Sequence, residues 1–154
     1  MKRFPLISVV LITCNRHVSI LERSLNSVLS QTYENVQIVI VDSNSNPKNS
    51  QSVSEYVSSL NREGIQLIRL PGTTNNQARN IGFKASEGDY IAFLDDDDEW
   101  FPDKLERQIE LFNENVSIVY SNYYVKDGEG EKDLFFQDAP NGYDLRTRIL
   151  GENL

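Results

Sequence analysis

The chain has one cysteine, one histidine, one methionine and one tryptophan in 154 residues. A single cysteine excludes an internal disulfide framework and any zinc site built from several thiolates. Long apolar runs are also missing. The longest, Leu6 to Ile12, includes Ser8 and falls far short of the roughly 20 residues that span a bilayer. The same run is too short to serve behind Met1-Lys2-Arg3 as the apolar region of a secretion signal. A cytoplasmic protein without a transmembrane segment is expected. Basic charge is in deficit, with a net charge of −8. A general nucleic-acid binder would carry a basic face, so nucleic acid is not an expected partner. Glycine is absent where nucleotide-binding domains concentrate it. No G-x-x-x-x-G-K-[ST] occurs, and the stretch Thr13-Cys14-Asn15-Arg16-His17-Val18-Ser19 after the first apolar run has no glycine. Those absences remove the P-loop and the dinucleotide fingerprint.

What is present suits one globular domain. Apolar residues make up 39% and charged residues 25%, and a chain of this length buries roughly 70% of its unfolded surface. Seven Phe and seven Tyr argue against wholesale disorder. Charge is segregated: residues 1–94 hold nine basic and seven acidic side chains, residues 95–154 six basic and sixteen acidic. Acids at 127–138 read as a solvated surface. Asp95-Asp96-Asp97-Asp98 does not, because the apolar run Tyr90 to Leu94 leads straight into it.

Apolar periodicity alternates along the chain. Leu6–Ile12, Val36–Val41, Ile65–Leu70 and Tyr90–Leu94 are short, near-continuous apolar runs and predict buried strands. Between them, Val18–Ser30, the Val53/Tyr56/Val57/Leu60 stretch and Asn76–Ser86 carry apolar residues at helical spacing. Ser19 and Glu22 have capping-box spacing, and Pro102 suits the first turn of a further helix carrying Leu105, Ile109 and Phe112. Ser117–Val125 predicts a fifth strand, the KDGEGEKD segment a turn, and YDLRTRILGENL a helix cut short. The alternation predicts an α/β fold with a mainly parallel sheet and helices on both faces. Ligands in such sheets bind beyond the carboxyl ends of the strands. Candidate chemistry therefore lies at Thr13 to Arg16, Asp42 to Ser45, Pro71 to Arg79 and Asp95 to Glu99.

Carboxylates crowded at a strand end raise one another's pKa unless a cation joins them. Mg²⁺ or Mn²⁺ takes one or two carboxylates and completes its shell with water and phosphate oxygens. The quartet could thus hold a nucleoside diphosphate through a metal. Strand alternation would send Asp95 and Asp97 one way and Asp96 and Asp98 the other. A plainer role, acids at a helix N-terminus, suits Glu99 and Asp103 better than the quartet. An EF-hand match over Asp95, Asp97, Glu99 and Glu106 fails, since Trp100 stands where that loop needs glycine. Cys14 and His17 lack a third group to orient them as nucleophile and base. Cys14 reads as a small filler and His17 as a solvated loop residue.

Four segments together resemble the family-2 glycosyltransferases, which have the Rossmann-like GT-A fold: ISVVLITCNR, VQIVIVDSNSN, NNQARNIGF and DYIAFLDDDDEWFPDKLE. The resemblance covers roughly residues 5–112. It implies a metal-dependent, inverting transfer of a sugar from a nucleotide diphosphate, UDP being the favoured carrier, to a saccharide or lipid-linked acceptor. By the same resemblance Asp42 would accept from the base and Thr13 would line its pocket. Arg79 would lie near base or diphosphate, Asp95 or Asp96 would contact the ribose, and Asp97 would bind Mg²⁺ or Mn²⁺. Ile12, Cys14, Ser43 and Pro47 depart from the family's usual residues. Residues 1–113 would be the nucleotide-sugar-binding core and 114–154 the start of a truncated acceptor-side region. No residue from 113 to 154 matches the family's general base, so none is assigned. The protein would be cytoplasmic, with a peripheral place at the membrane allowed. The rival expectations are a nucleotide-sugar-binding fragment without turnover and, further off, an aspartate-based phosphatase, which Glu99 and Trp100 disfavour. Donor sugar and oligomeric state are not legible.

Overall fold

The computed structural model of the protein describes residues 4–121 and the strand segments 123–127 and 130–134. Strands β1 (Ile7–Thr13), β2 (Val36–Asp42), β3 (Ile65–Arg69) and β4 (Tyr90–Asp95) form one sheet in the order β3-β2-β1-β4. All three pairings are parallel, with Ile7 opposite both Val36 and Tyr90, and Ile38 opposite Ile65. Helices α1 (Val18–Leu29), α2 (Pro47–Ser59) and α3 (Asn75–Ala85) make the crossovers. This is the α/β architecture expected from the alternating runs.

The first two apolar runs fill both sides of the sheet, whereas the runs expected as buried strands at β3 and β4 are only partly buried. β3 has no fully buried residue, and in β4 Leu94 is buried while Phe93 is 48% exposed, because each strand is paired on one side only. Every residue of β1 and the last five of β2 are buried. Side chains alternate along a strand, so Val10, Ile12, Val39 and Val41 share one face, where they pack with Ala78 of α3 and with the partly buried Ile68, Leu70, Ala85 and Ile91. Val9, Leu11, Ile38 and Ile40 point to the opposite face and are equally buried, as are Leu21, Leu25 and Val28 of α1 and Val53 of α2. Gly82 lets α3 approach closely: a Cβ there would lie 2.3 Å from Val10 Cγ1 and 3.3 Å from Val41 Cγ2.

Helix starts differ from the sequence reading in two places. Ser19 and Glu22 do not form a capping box; the cap of α1 is His17, whose Nδ1 accepts from the Ser19 N–H at 3.3 Å. The box instead sits on α3, where Thr74 Oγ1 accepts from the Gln77 N–H and Gln77 Oε1 accepts from the Thr74 N–H. Asn46 caps α2 ahead of Pro47, which fits a first helical position that needs no N–H donor.

The chain divides into two compact units after Glu106. Helix α4 (Lys104–Ile109) begins two residues later than Pro102 suggested, because a turn comes first, with the Lys104 N–H donating to the Phe101 carbonyl at 3.1 Å. In the second unit, β5 (Tyr123–Asp127) and β6 (Gly130–Leu134) pair antiparallel, Asp127 opposite Gly130. The strand expected at Ser117–Val125 is therefore displaced, and Ser117–Tyr120 lies in no strand. A ladder forms where a partner arm exists, and here the arms are Tyr123–Asp127 and Gly130–Leu134. KDGEGEKD is largely the arms of that hairpin rather than all turn. The helix expected near residue 150 lies outside the described residues.

Candidate functional site

The parallel register brings four loops to one edge of the sheet. Thr13 is opposite Asp42, Ile12 opposite Asp95, and Asp42 opposite Arg69. β2 and β3 lie on one side of β1, and β4 on the other. The chain's direction of travel across the sheet thus reverses between β1 and β4, where open α/β sheets leave a crevice. Thr13 and the acidic quartet flank that position.

The turn after β1 has no glycine because Asn15 does that work. Its φ is +53°, a left-handed conformation that asparagine tolerates. Its Oδ1 accepts from the Ser45 N–H at 2.9 Å, which ties the β1 loop to the β2 loop. The Ser43 N–H reinforces the tie by donating to the Thr13 carbonyl at 2.9 Å. Thr73 joins the third loop to the second, its hydroxyl 2.7 Å from that of Ser43.

The quartet does not alternate as a strand would. β4 stops at Asp95 and the chain turns, the Asp98 N–H donating to the Asp95 carbonyl at 3.2 Å. The first three acids therefore meet different sets of partners, with Arg16 shared by Asp96 and Asp97. Asp95 pairs with Arg79 of α3 at 2.6 Å. Asp96 is buried and accepts from the Thr13 hydroxyl at 2.7 Å. Asp97, half exposed, accepts from Arg16 at 2.8 Å, while Arg16 Nε lies 3.4 Å from Asp96. Burial is the main cause raising the Asp96 carboxyl above its ordinary value, opposed by the Thr13 bond and Arg16. Burial also raises Asp98, followed by repulsion from Asp97 and Asp95. The Arg16 guanidinium is held charged chiefly by Asp96. Two arginines thus occupy the counter-cation position that the quartet demands.

Asp42 lies one strand away and is enclosed. Its Oδ1 accepts from the Asn44 backbone N–H at 2.9 Å and side-chain NH₂ at 2.6 Å. Its Oδ2 accepts from Ser50 and sits 3.9 Å from Arg69 Nε. With the Asn44 NH₂ turned to the carboxylate, the buried Asn44 Oδ1 faces away and has no partner among the described residues. Cys14 and His17 do not act on each other: Cys14 Sγ is 3.8 Å from the Ser43 carbonyl, and His17 Nδ1 bonds Ser19.

Several residues that build the site were not apparent from strand ends alone. Arg16 belongs to the first loop, but its partners Asp96 and Asp97 are 80 and 81 residues away in sequence. One side of α1 holds the quartet's backbone. The Ser24 hydroxyl lies 2.6 Å from the Asp96 carbonyl and 2.5 Å from that of Asp98, and Ser27 Oγ accepts from the Trp100 N–H at 3.0 Å. Gln31 spans the next stretch, donating to Phe101 O at 2.7 Å and accepting from Leu105 N at 3.0 Å. Ser24 and Ser27 of α1, with Gln31 just beyond its end, recur at spacings of three and four beside the apolar stripe, the visible trace of this role.

A divalent cation suits this donor set. No three His, Cys, Asp or Glu side chains converge among the described residues, but a hard ion completed by water and phosphate needs only one or two carboxylates. Asp97 offers an accessible carboxylate, and its present partner is itself a cation.

Comparison with known proteins places the chain in a family. The family description "Glycosyl transferase family 2" matches residues 8–153. An uncharacterized glycosyltransferase of Haemophilus influenzae is 33% identical over 133 residues, covering 83% of this chain and 51% of its own. The Escherichia coli protein named UDP-Glc:alpha-D-GlcNAc-diphosphoundecaprenol beta-1,3-glucosyltransferase WfgD is 35% identical over 127 residues, covering 78% of this chain and 46% of its own. Among solved structures, the mannosyltransferase PcManGT of Pyrobaculum calidifontis, in complex with GDP-Man and Mn²⁺, superposes with a TM-score of 0.63. That likeness, at 20% identity over 71% of this chain and 32% of the neighbour, concerns the fold. The sheet and its crossovers are those of the GT-A class. The chain belongs to glycosyl transferase family 2. It spans about half the length of the two curated relatives. No helix among the described residues is long and apolar enough to cross a membrane.

Proposed function

We propose that this chain holds a nucleotide-diphospho-sugar donor at the β1–β4 crevice and serves a metal-dependent, inverting glycosyltransferase. The observation that carries the reading is the Thr13–Asp96–Arg16–Asp97 chain of contacts, which joins the first loop to the quartet at the sheet's reversal point. Asp97 would hold Mg²⁺ or Mn²⁺, which supplies positive charge against the departing diphosphate when bound. Asp95 or Asp96 faces the ribose. Asp96, fixed by Thr13, is the more rigid of the two; Arg79 sets the position of Asp95 and lies toward the diphosphate. Thr13 borders the base pocket. Asp42 shapes that pocket from beneath by holding Asn44 and Ser50, and it meets the base directly where Asn44 releases it. UDP is the favoured carrier, in keeping with the UDP-Glc in the name of the WfgD relative; GDP is the competitor, as in the mannosyltransferase neighbour.

Inversion in one displacement needs an acceptor hydroxyl and a general base beside it. We assign no base. Residues 1–113 form the donor core in this reading, and 114–154 begin the acceptor side. Acceptors would be saccharide or lipid-linked. Without positioned acceptor, transfer loses several powers of ten in rate, so these 154 residues are expected to bind donor and hydrolyse it slowly. The test is UDP release from a panel of UDP-sugars in Mn²⁺, with and without saccharide and lipid-linked acceptors. Donor-specific release supports the reading; no release and no binding of any nucleotide sugar contradicts it.

A further inference from the structure

Arg16 stands where a cation would otherwise stand, and its two contacts are unequal. Asp96 is buried and fixed from its other side by Thr13 at 2.7 Å, so the Nε contact at 3.4 Å is to an immobile acid. Asp97 and Arg16 are each 46% exposed, so the 2.8 Å contact between them opens to solvent. The backbone beside Arg16 is held as well, through the left-handed Asn15 and its bond to Ser45. A side chain anchored at its root and at Nε can pivot its terminal nitrogens without leaving the site.

We propose that Arg16 is the counter-cation of Asp97 in the metal-free chain, that a divalent ion displaces it, and that the freed N–H groups then hold a diphosphate oxygen. The inference rests on Asp97 as the metal-binding acid. A guanidinium and a divalent ion on one carboxylate repel each other, and the doubly charged ion wins the shared oxygen. The displaced fork still needs acceptors, and the ligand that arrives with the ion supplies them: a diphosphate presents oxygens that a planar guanidinium grips two at a time. Arg16 is a positioning and binding residue in this account, opposing the metal alone yet favouring metal and nucleotide together.

The test titrates Mn²⁺ alone, by calorimetry and by the spin-resonance signal of free Mn²⁺, into wild type, Arg16→Gln, Arg16→Lys and Asp97→Asn. UDP is then titrated at saturating Mn²⁺. Arg16→Gln is expected to bind Mn²⁺ about two- to fivefold more tightly, the range of an exposed ion pair, and UDP about tenfold more weakly. Arg16→Lys keeps the charge but cannot hold both acids, so it too is expected to bind Mn²⁺ more tightly than wild type. Unchanged or weaker Mn²⁺ binding by Arg16→Gln, while Asp97→Asn abolishes it, overturns the displacement and leaves Asp97 its role. Tighter binding in Arg16→Gln with wild-type affinity in Arg16→Lys also overturns it, since the effect is then one of net charge. Wild-type Mn²⁺ affinity in Asp97→Asn overturns the underlying metal assignment and this inference with it.

Discussion

Thr13 and Asp96 stand 83 residues apart in the chain, yet a buried 2.7 Å hydrogen bond joins their side chains. The bond exists because β1 and β4 are neighbours, and it ties the first loop to the acid on which Arg16 is anchored. Thr13→Val keeps the shape and removes the donor. An unsatisfied buried polar group costs about 1–3 kcal/mol, more when charged. Urea unfolding at pH 7 is expected to show a loss of at least that size, with nucleotide affinity falling alongside. A mutant with the wild-type midpoint contradicts the role given to this bond.

Gly82→Ala tests the packing of α3 on the sheet. In an open helix interior the change stabilises by about 0.4–1 kcal/mol. Here the new methyl would meet Val10 Cγ1 at 2.3 Å, and overpacking costs about 1–3 kcal/mol. A lower melting temperature is expected, partly restored when Val10→Ala makes room. A stabilised single mutant would show that α3 lies farther from β1.

Gln31→Leu tests whether the residue just beyond α1 holds the segment after the quartet. The substitution frees Phe101 O and Leu105 N, bonded at 2.7 and 3.0 Å, for an expected loss of about 1–3 kcal/mol. Metal-dependent nucleotide binding should weaken too, although Gln31 touches no proposed ligand. Loss of stability with unchanged binding at a temperature where the mutant is folded would detach the Gln31 tie from the site.

Lys104 gives a pH dependence of definite sign. Burial lowers its ammonium from 10.5 to about 8, with Trp100, 4.3 Å from Nζ to ring centre, offsetting part of the penalty. Between those two values the unfolded chain binds more protons, so this group's contribution to stability rises with pH across that window. Below pH 8 the fold carries the full penalty. Lys104→Met is therefore expected to be more stable than wild type at pH 7, with the gap closing toward pH 10.5. A gap of equal size at both ends contradicts the shift.

β1 and β2 were legible because they are buried along most of their length and read as continuous apolar runs; β3 and β4 read the same way in sequence but are only partly buried. Thr13, Asp42 and Asp95 to Asp97 were legible as strand ends. What each acid touches was not. Alternation fails once β4 ends at Asp95 and the chain turns, and Arg16 finds its partners only through strand order. The enclosure of Asp42 depends on Asn44 and Ser50, whose side chains carry no period that marks them out. Hairpin β5–β6 escaped for a related reason: Glu131-Lys132-Asp133 is too polar to read as a strand until its partner arm is known.

The most direct test of the account is calorimetric titration of UDP, GDP and CDP into the chain, each with and without Mn²⁺, on wild type and Asp97→Ala. Nucleotide binding is expected to require Mn²⁺, to favour UDP, and to be lost in Asp97→Ala while circular dichroism shows the fold retained. Equal UDP affinity with and without Mn²⁺, or unchanged affinity in Asp97→Ala, would contradict it.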